Sequence, residues 1–447
     1  MSLPINKIKK PVVKIIILLL FLASQGYSQV KVLNLNEAIS LAIRNNSDLV
    51  LARLEKLKAD EKVSEVYSEN LVPSLSLSST YTRALKKNYL TVDFGGGVTQ
   101  RISVGTDNTI TTNLQVTESI PFLGTPIFSG IRIAQYYQLM QQEVVNQTEY
   151  KVKADVTKSY YNVQLLKEVV DVNRQSLSNA EENLRVVEAR YKVGTALEFD
   201  YLRAKVRVET LRPGLIQSQN NLELAKKVLR SAIGLKDNQD VDVTGTLTYD
   251  STEVYGTTAN LINKISEENV NIRQLRLSRN INEELVRVDK ASFLPKFYLF
   301  GQLTNQAAEN DGKPIWRYPF LNSINVGIGM SWDLNFFANA YKKNQAEIDV
   351  KKTDEQILNV KDKLKTQAES ILLRMEDAKN RIVSQRENVA MAERGLELAN
   401  ISFKSGVINQ IDVFDAELLV SQVRLSYIQA IFDYLNARAE LEQLLEK

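Results

Sequence analysis

Asp412 and Asp415 stand three residues apart, so on a helix their carboxylates share one face. Acids so placed attract cations, multivalent ones most, because Coulomb attraction grows with charge. The same spacing recurs at Asp200 and Arg203, where a guanidinium replaces the second acid and can form a salt bridge instead. Asp412 has a second, local reading: Asn409 three residues before it has the form of a helix N-cap, with an acid in the first turn favoured by the helix dipole. Asp415 lies further inside the helix, where that reading weakens. No other constellation offers chemistry. The chain has no histidine and no cysteine, which removes the usual metal ligands, the commonest general base and disulfides. Gly-rich phosphate loops and nucleophile–base arrangements are missing, so no enzyme, cofactor or metal centre is expected.

Both acidic segments belong to a duplicated unit. Tyr191-Lys192-Val193-Gly194 followed by Asp200 reappears as Phe403-Lys404-Ser405-Gly406 followed by Asp412, at a constant offset: 406 less 194 is 212. Upstream of each glycine run two apolar seams in steps of seven, Val170, Leu177, Leu184, Tyr191 and Ile382, Val389, Leu396, Phe403. That spacing keeps one side of a long helix against a partner helix. Each half therefore ends in a helical hairpin whose tip carries a glycine and then an acid.

The elements that lead to the tips follow one order twice. Leu33 to Asn70 is amphipathic and stops at Pro73, because proline disfavours helix in the residue before it. Ser74 to Ser78 alternates as a strand, a polar stretch follows around Gly95 to Gly97, and Leu114 to Thr117 alternates again. From Gly130 to Lys192 nothing interrupts a helix of about 90 Å, and Glu198 to Ile233 forms the return helix. In the second half Ala259 to Ser292 reads as helix before Pro295. Phe297, Leu299 and Leu303 share a strand face. Ile324, Val326, Ile328, Met330 and Trp332 alternate with Asn325, Gly327, Gly329 and Ser331, as a barrel wall between lipid and water requires. Helices from Asn339 to Lys404 and from Asn409 onward complete the half. Pro213-Gly214 interrupts the first return helix and predicts a kink there.

The N-terminal segment carries Lys7, Lys9, Lys10 and Lys14 before the apolar run Ile15 to Ala23, which reads as a signal peptide cleaved after Ser28. The run is short of the roughly 20 residues that span a bilayer. Without a cysteine the protein is not a lipoprotein. Of 56 basic residues the leader holds four, leaving 52 against 53 acidic, and that balance argues against nucleic acid. The expected division is 1–28 signal peptide, 29–235 first repeat, 236–258 linker segment and 259–447 second repeat. Four strands cannot close a barrel, and open edges in lipid leave backbone groups unpaired. The chain must oligomerise, or it is not a membrane protein.

Asn70-Leu71-Val72-Pro73-Ser74-Leu75-Ser76-Leu77 and Phe293-Leu294-Pro295-Lys296-Phe297-Tyr298-Leu299 resemble the helix-to-strand junctions of TolC-type outer-membrane efflux proteins, and the two glycine tips resemble that family's periplasmic hairpin tips. The likeness covers the whole mature chain and includes the duplication. It implies a mainly α fold with a small β part: long antiparallel helical hairpins forming a periplasmic α-barrel, and four strands per chain in a shared trimeric barrel of twelve strands. It implies a homotrimer in the outer-membrane lipid of a Gram-negative bacterium. Such a protein is the exit duct of a tripartite efflux pump or type I secretion system, joined through a periplasmic adaptor to an inner-membrane transporter.

The resemblance places Asp412 and Asp415 at a pore constriction, where three chains gather six carboxylates. It places Asp200 in a latch between hairpins, although a solvated acid at a helix start fits Asp200 equally. Val193, Gly194, Thr195, Ser405, Gly406 and Val407 become the adaptor-contacting tips. The family's latch arginine is missing, since Ile408 holds its position, and Arg203 is the candidate replacement by the internal repeat. Two other classes stand beside the duct. One is a stand-alone porin, disfavoured by so few strands; the other is a periplasmic or envelope-spanning helical protein without transport activity.

Overall fold

The computed structural model describes residues 31–97, 99–121, 125–235, 239–250 and 257–446. The expected signal peptide lies outside the described residues, as do 236–238 and 251–256 of the linker segment.

A short strand β1 (Lys31–Leu33) precedes helices α1 (Leu35–Asn45) and α2 (Ser47–Leu71). Strands β2 (Ser74–Arg83), β3 (Asn88–Asp93), β4 (Thr99–Val104) and β5 (Asn108–Ser119) lead into the 66-residue helix α3 (Ile127–Lys192) and its return α4 (Glu198–Ile233). After β6 (Val241–Val243) the order repeats: α5 (Thr258–Glu268), α6 (Val270–Ala291), β7 (Lys296–Glu309), β8 (Phe320–Ser331), the 69-residue α7 (Phe336–Lys404) and α8 (Gln410–Leu444). The return helix α4 continues through Pro213. Two differences from the sequence reading stand out. The stretch around Gly95 to Gly97 is the turn of a hairpin, β3 against β4, with Leu90 opposite Ile102. Each helix expected before a strand pair is two helices, broken at Asn46 and Asn269.

By compactness the chain separates into two units that cut across the repeats. The first comprises the described residues within 31–53, 145–270 and 361–446. Its core gathers Ala38 and Ala42 of α1, Val156 and Tyr160 of α3, and Leu229 and Ile233 of α4 around the parallel pair β1–β6, where Val241 and Val243 are buried. Burial of the Val, Leu and Ile side chains among these, each contributing roughly 1.5–3 kcal/mol, holds the pair in place. The segment around β6 is tied in by polar bonds as well: Tyr160 Oη donates to the Thr244 carbonyl at 2.8 Å, and Lys167 Nζ pairs with Asp242 at 2.7 Å.

The second unit comprises residues 54–144 and 271–360. Its sheet has the order β2-β5-β7-β8, antiparallel throughout. Register sets two opposite faces, because residues directly paired point the same way. Leu77 pairs with Leu114, Leu114 with Leu303 and Leu303 with Ile324, so one face is apolar across all four strands. Ser78, Asn113, Thr304 and Ser323 line the other. The apolar face is open: Val326 is 83 % exposed. Strands β2 and β8 are edges, each with one neighbour. Among the described residues no helix is long and apolar enough to cross a membrane, which says nothing of a β-barrel.

Candidate functional site: the two hairpin tips

Both tips are built by the same backbone device. Helix α3 ends where Gly194 takes φ 74°, its N–H donating to the Tyr191 carbonyl at 3.0 Å while Thr195 N–H reaches back to Arg190 at 2.9 Å. Helix α7 ends where Gly406 takes φ 77°, with Gly406 N–H to Phe403 at 3.0 Å and Val407 N–H to Ser402 at 2.9 Å. This pair of bonds is the Schellman stop, which satisfies two orphan carbonyls and needs a left-handed residue at the glycine position. Ser405 adds its hydroxyl to the Ile401 carbonyl at 3.0 Å. Beyond the stops the tips present apolar side chains to solvent, Val193 at 74 % and Val407 at 76 % exposure.

The acids lie just after the tips. Asp412 and Asp415 are both exposed on the first turns of α8. Asp412 Oδ2 accepts the Asn409 N–H at 2.9 Å, so the local capping role is occupied. Asp415 makes no hydrogen bond or ion pair among the described residues. Asp200 is half-buried in the first turn of α4. Arg203 sits over the Phe199 ring, its guanidinium carbon 4.4 Å from the centroid, and pairs with no acid among the described residues.

An apolar cluster joins the two hairpins below the tips: Val187, Ala204 and Phe414 are buried, with Leu184, Tyr201 and Phe403 packed on them. Tyr191 stacks on Tyr201 at 5.4 Å, and the Arg190 guanidinium sits 4.8 Å above Phe403. The chain thus brings Asp200, Arg203, Asp412 and Asp415 to one end of one unit. It forms no constriction by itself.

Two buried polar side chains of α8 flank Phe414, one on either side along the helix, and the sequence reading missed them. Gln410, buried, donates to Asn183 Oδ1 at 3.3 Å. Glu417 is 7 % exposed, and burial pushes its carboxyl up to about 7 against the opposing pull of the Arg207 guanidinium. The signal was available, because Glu417 falls between Val413 and Val420 at helical spacing on the buried face of α8.

Comparison with known proteins gives one consistent answer. The profile of the family described as "Outer membrane efflux protein" matches residues 38–235 and 261–446. Outer membrane protein TolC of Escherichia coli is 19 % identical over 445 residues, covering 97 % of this chain and 86 % of TolC. The cation efflux system protein CusC of Escherichia coli is 22 % identical, covering 90 % and 82 %. Among solved structures, the outer-membrane channel OprN superposes with a TM-score of 0.73 at 16 % identity, over 92 % of this chain and 89 % of OprN.

Proposed function

The chain belongs to the outer membrane efflux protein family, and from that premise we propose that it is a homotrimeric exit duct in the outer membrane of a Gram-negative bacterium. The open edges of the sheet carry this reading. β2 and β8 each offer a row of unpaired N–H and C=O groups, and lipid supplies nothing to satisfy them. Pairing β8 of one copy with β2 of the next, three times around, closes a barrel of twelve strands. The apolar face then meets lipid and the Ser/Thr/Asn face lines water. Exposed apolar side chains on the long helices, Leu224 and Val228 of α4 and Leu358 and Leu373 of α7, are material for contacts between copies in a helical tube.

In the assembled duct the glycine tips, from Val193 to Thr195 and from Ser405 to Val407, dock a periplasmic adaptor and through it an inner-membrane transporter. Asp412 and Asp415 line the constriction, and Arg203 faces an acid of a neighbouring hairpin as a latch with Asp200. Residues 29–235 and 259–447 are the two repeats, joined by 236–258 and delivered by a cleaved leader, residues 1–28, without lipid modification. Transport through such a duct is passive and asks no catalysis of the chain.

Light scattering of the detergent-extracted protein tests the assembly: a mass three times that of the chain is expected, and a monomer would sink the proposal. Conductance in a planar bilayer then separates a duct from an envelope spacer.

A further inference from the structure

We propose that the open cleft lined by α3, α7 and α8 below the tip cluster binds a small organic monocation, a primary amine with a short apolar body, with the Glu417 carboxylate as its counter-charge. The cavity holds about 490 Å³ and lies within one unit of one chain, so it does not depend on the export reading. Glu417 lines it while more than nine-tenths buried, and no hydrogen bond reaches its carboxylate among the described residues. A buried carboxylate without a partner is costly, and a cation placed beside it removes that cost.

Of the three carboxylates that line the cavity, Glu417 is the one without a hydrogen bond or ion pair among the described residues. On α7, Glu393 receives Arg424 Nε at 2.8 Å, and Glu397 pairs with Arg394 at 2.5 Å. The α3 wall is uncharged, offering the amide groups of Gln175 and Asn179. On α4, Arg207 pulls on Glu417 but does not bond to it, and its buried Nε has no partner. Val172, Leu396 and Val420 supply the apolar wall for the body of the ligand. Burial also keeps Glu417 partly protonated at neutral pH, so binding the cation must displace a proton.

Isothermal titration calorimetry of the purified, detergent-extracted protein with benzylamine tests this, with benzyl alcohol as the neutral control. Saturable binding of one benzylamine per chain is expected, tightening about tenfold from pH 6 to pH 8 as Glu417 ionises. Benzyl alcohol should give no saturable heat. Glu417→Gln should abolish benzylamine binding, and Asn179→Phe, which fills the cavity from α3 and leaves the carboxylate in place, should do the same. The pH profile and the alcohol control use the unaltered chain, so they decide the matter even if a variant fails to fold. No saturable heat at pH 8, equal binding of the alcohol, or undiminished affinity in a folded Glu417→Gln protein would overturn the proposal. None of these outcomes bears on the oligomeric mass.

Discussion

Asn269 donates from Nδ2 to the backbone carbonyl of Leu444 at 3.2 Å, and Asn46 makes the same bond to Ala232 at 2.9 Å. Each asparagine stands at the break between two helices of its repeat, and each carbonyl belongs to the last turn of that repeat's return helix. Ala232 and Leu444 are separated by the same 212 residues as the two tip glycines. The duplication therefore extends to a side-chain joint that satisfies an orphan helix-end carbonyl twice. Asn269→Ala leaves the buried carbonyl short of a donor and should cost about 1–3 kcal/mol, read as a lowered denaturation midpoint. Asn46→Ala should behave alike.

Gly234 ends α4 at φ 76°, and a Cβ there would sit 2.4 Å from the Asn45 carbonyl oxygen. Gly194 shares the left-handed backbone but has open space around it. Gly194→Ala should cost only the conformational term, about 1 kcal/mol. Gly234→Ala adds a backbone clash and should cost several times as much. Equal melting shifts for the two variants would refute the packing account.

Glu284 is 2 % exposed on α6 and receives Arg132 Nε at 2.7 Å and Arg287 at 2.5 Å. Burial works against its ionisation, but the hydrogen bonds from Arg132 and Ser129, with the charges of Arg132 and Arg287, outweigh burial and hold its carboxyl below the usual range. Its contribution is present above the unfolded-state value and is lost as pH falls through the folded one. Arg132→Ala leaves Glu284 with Arg287 and Ser129 as partners and should destabilise by about 1–3 kcal/mol at neutral pH. Repeating the melt under strongly acidic conditions should shrink that penalty.

Glu417 has the opposite sign. Its carboxyl rises from about 4.5 to about 7 on folding, so the folded chain holds a proton there that the unfolded chain has released. Stability falls as pH rises through that window, by roughly 3 kcal/mol in all. Glu417→Gln should melt higher than the parent at pH 8 and close to it at pH 4. A variant that melts lower at both values would show that the carboxylate is needed for packing.

Asp412→Asn together with Asp415→Asn removes six charges from the proposed constriction. Block by a trivalent cation added from the periplasmic side should weaken by about tenfold or more, since attraction scales with the charge product. Arg203→Ala should raise resting conductance only several-fold, because a solvent-accessible ion pair contributes about 1 kcal/mol. Unchanged block in single-channel recordings of the double variant would remove both acids from the pore.

Much of this was legible residue by residue. Period-seven seams, the two glycines and the alternation of Ile324 to Ser331 are local signals, and local signals survive without the fold. The breaks at Asn46 and Asn269 were not legible, because the amphipathic pattern runs on across them. At Asn46 the side-chain oxygen caps the next helix by accepting the Asp48 and Leu49 N–H groups, while its amide N–H is spent on the Ala232 carbonyl, 186 residues away. The β3–β4 hairpin was hidden for a related reason: Leu90, Val92, Ile102 and Val104 alternate over too short a stretch beside a polar, glycine-rich turn.

The sequence by itself determined the duplication, the helical hairpins with their Schellman tips, the apolar strand face and the absence of histidine and cysteine chemistry. These depend on residue type and on spacing along one element. Only the tertiary structure decided which acids are exposed and which are buried. Asp412 and Asp415 stay in solvent while Glu417, less than one turn beyond Asp415, is enclosed by α3, α4 and α7. A helix carries its side chains around its axis about every 3.6 residues, and the neighbours packed on each face determine which carboxylates keep their water.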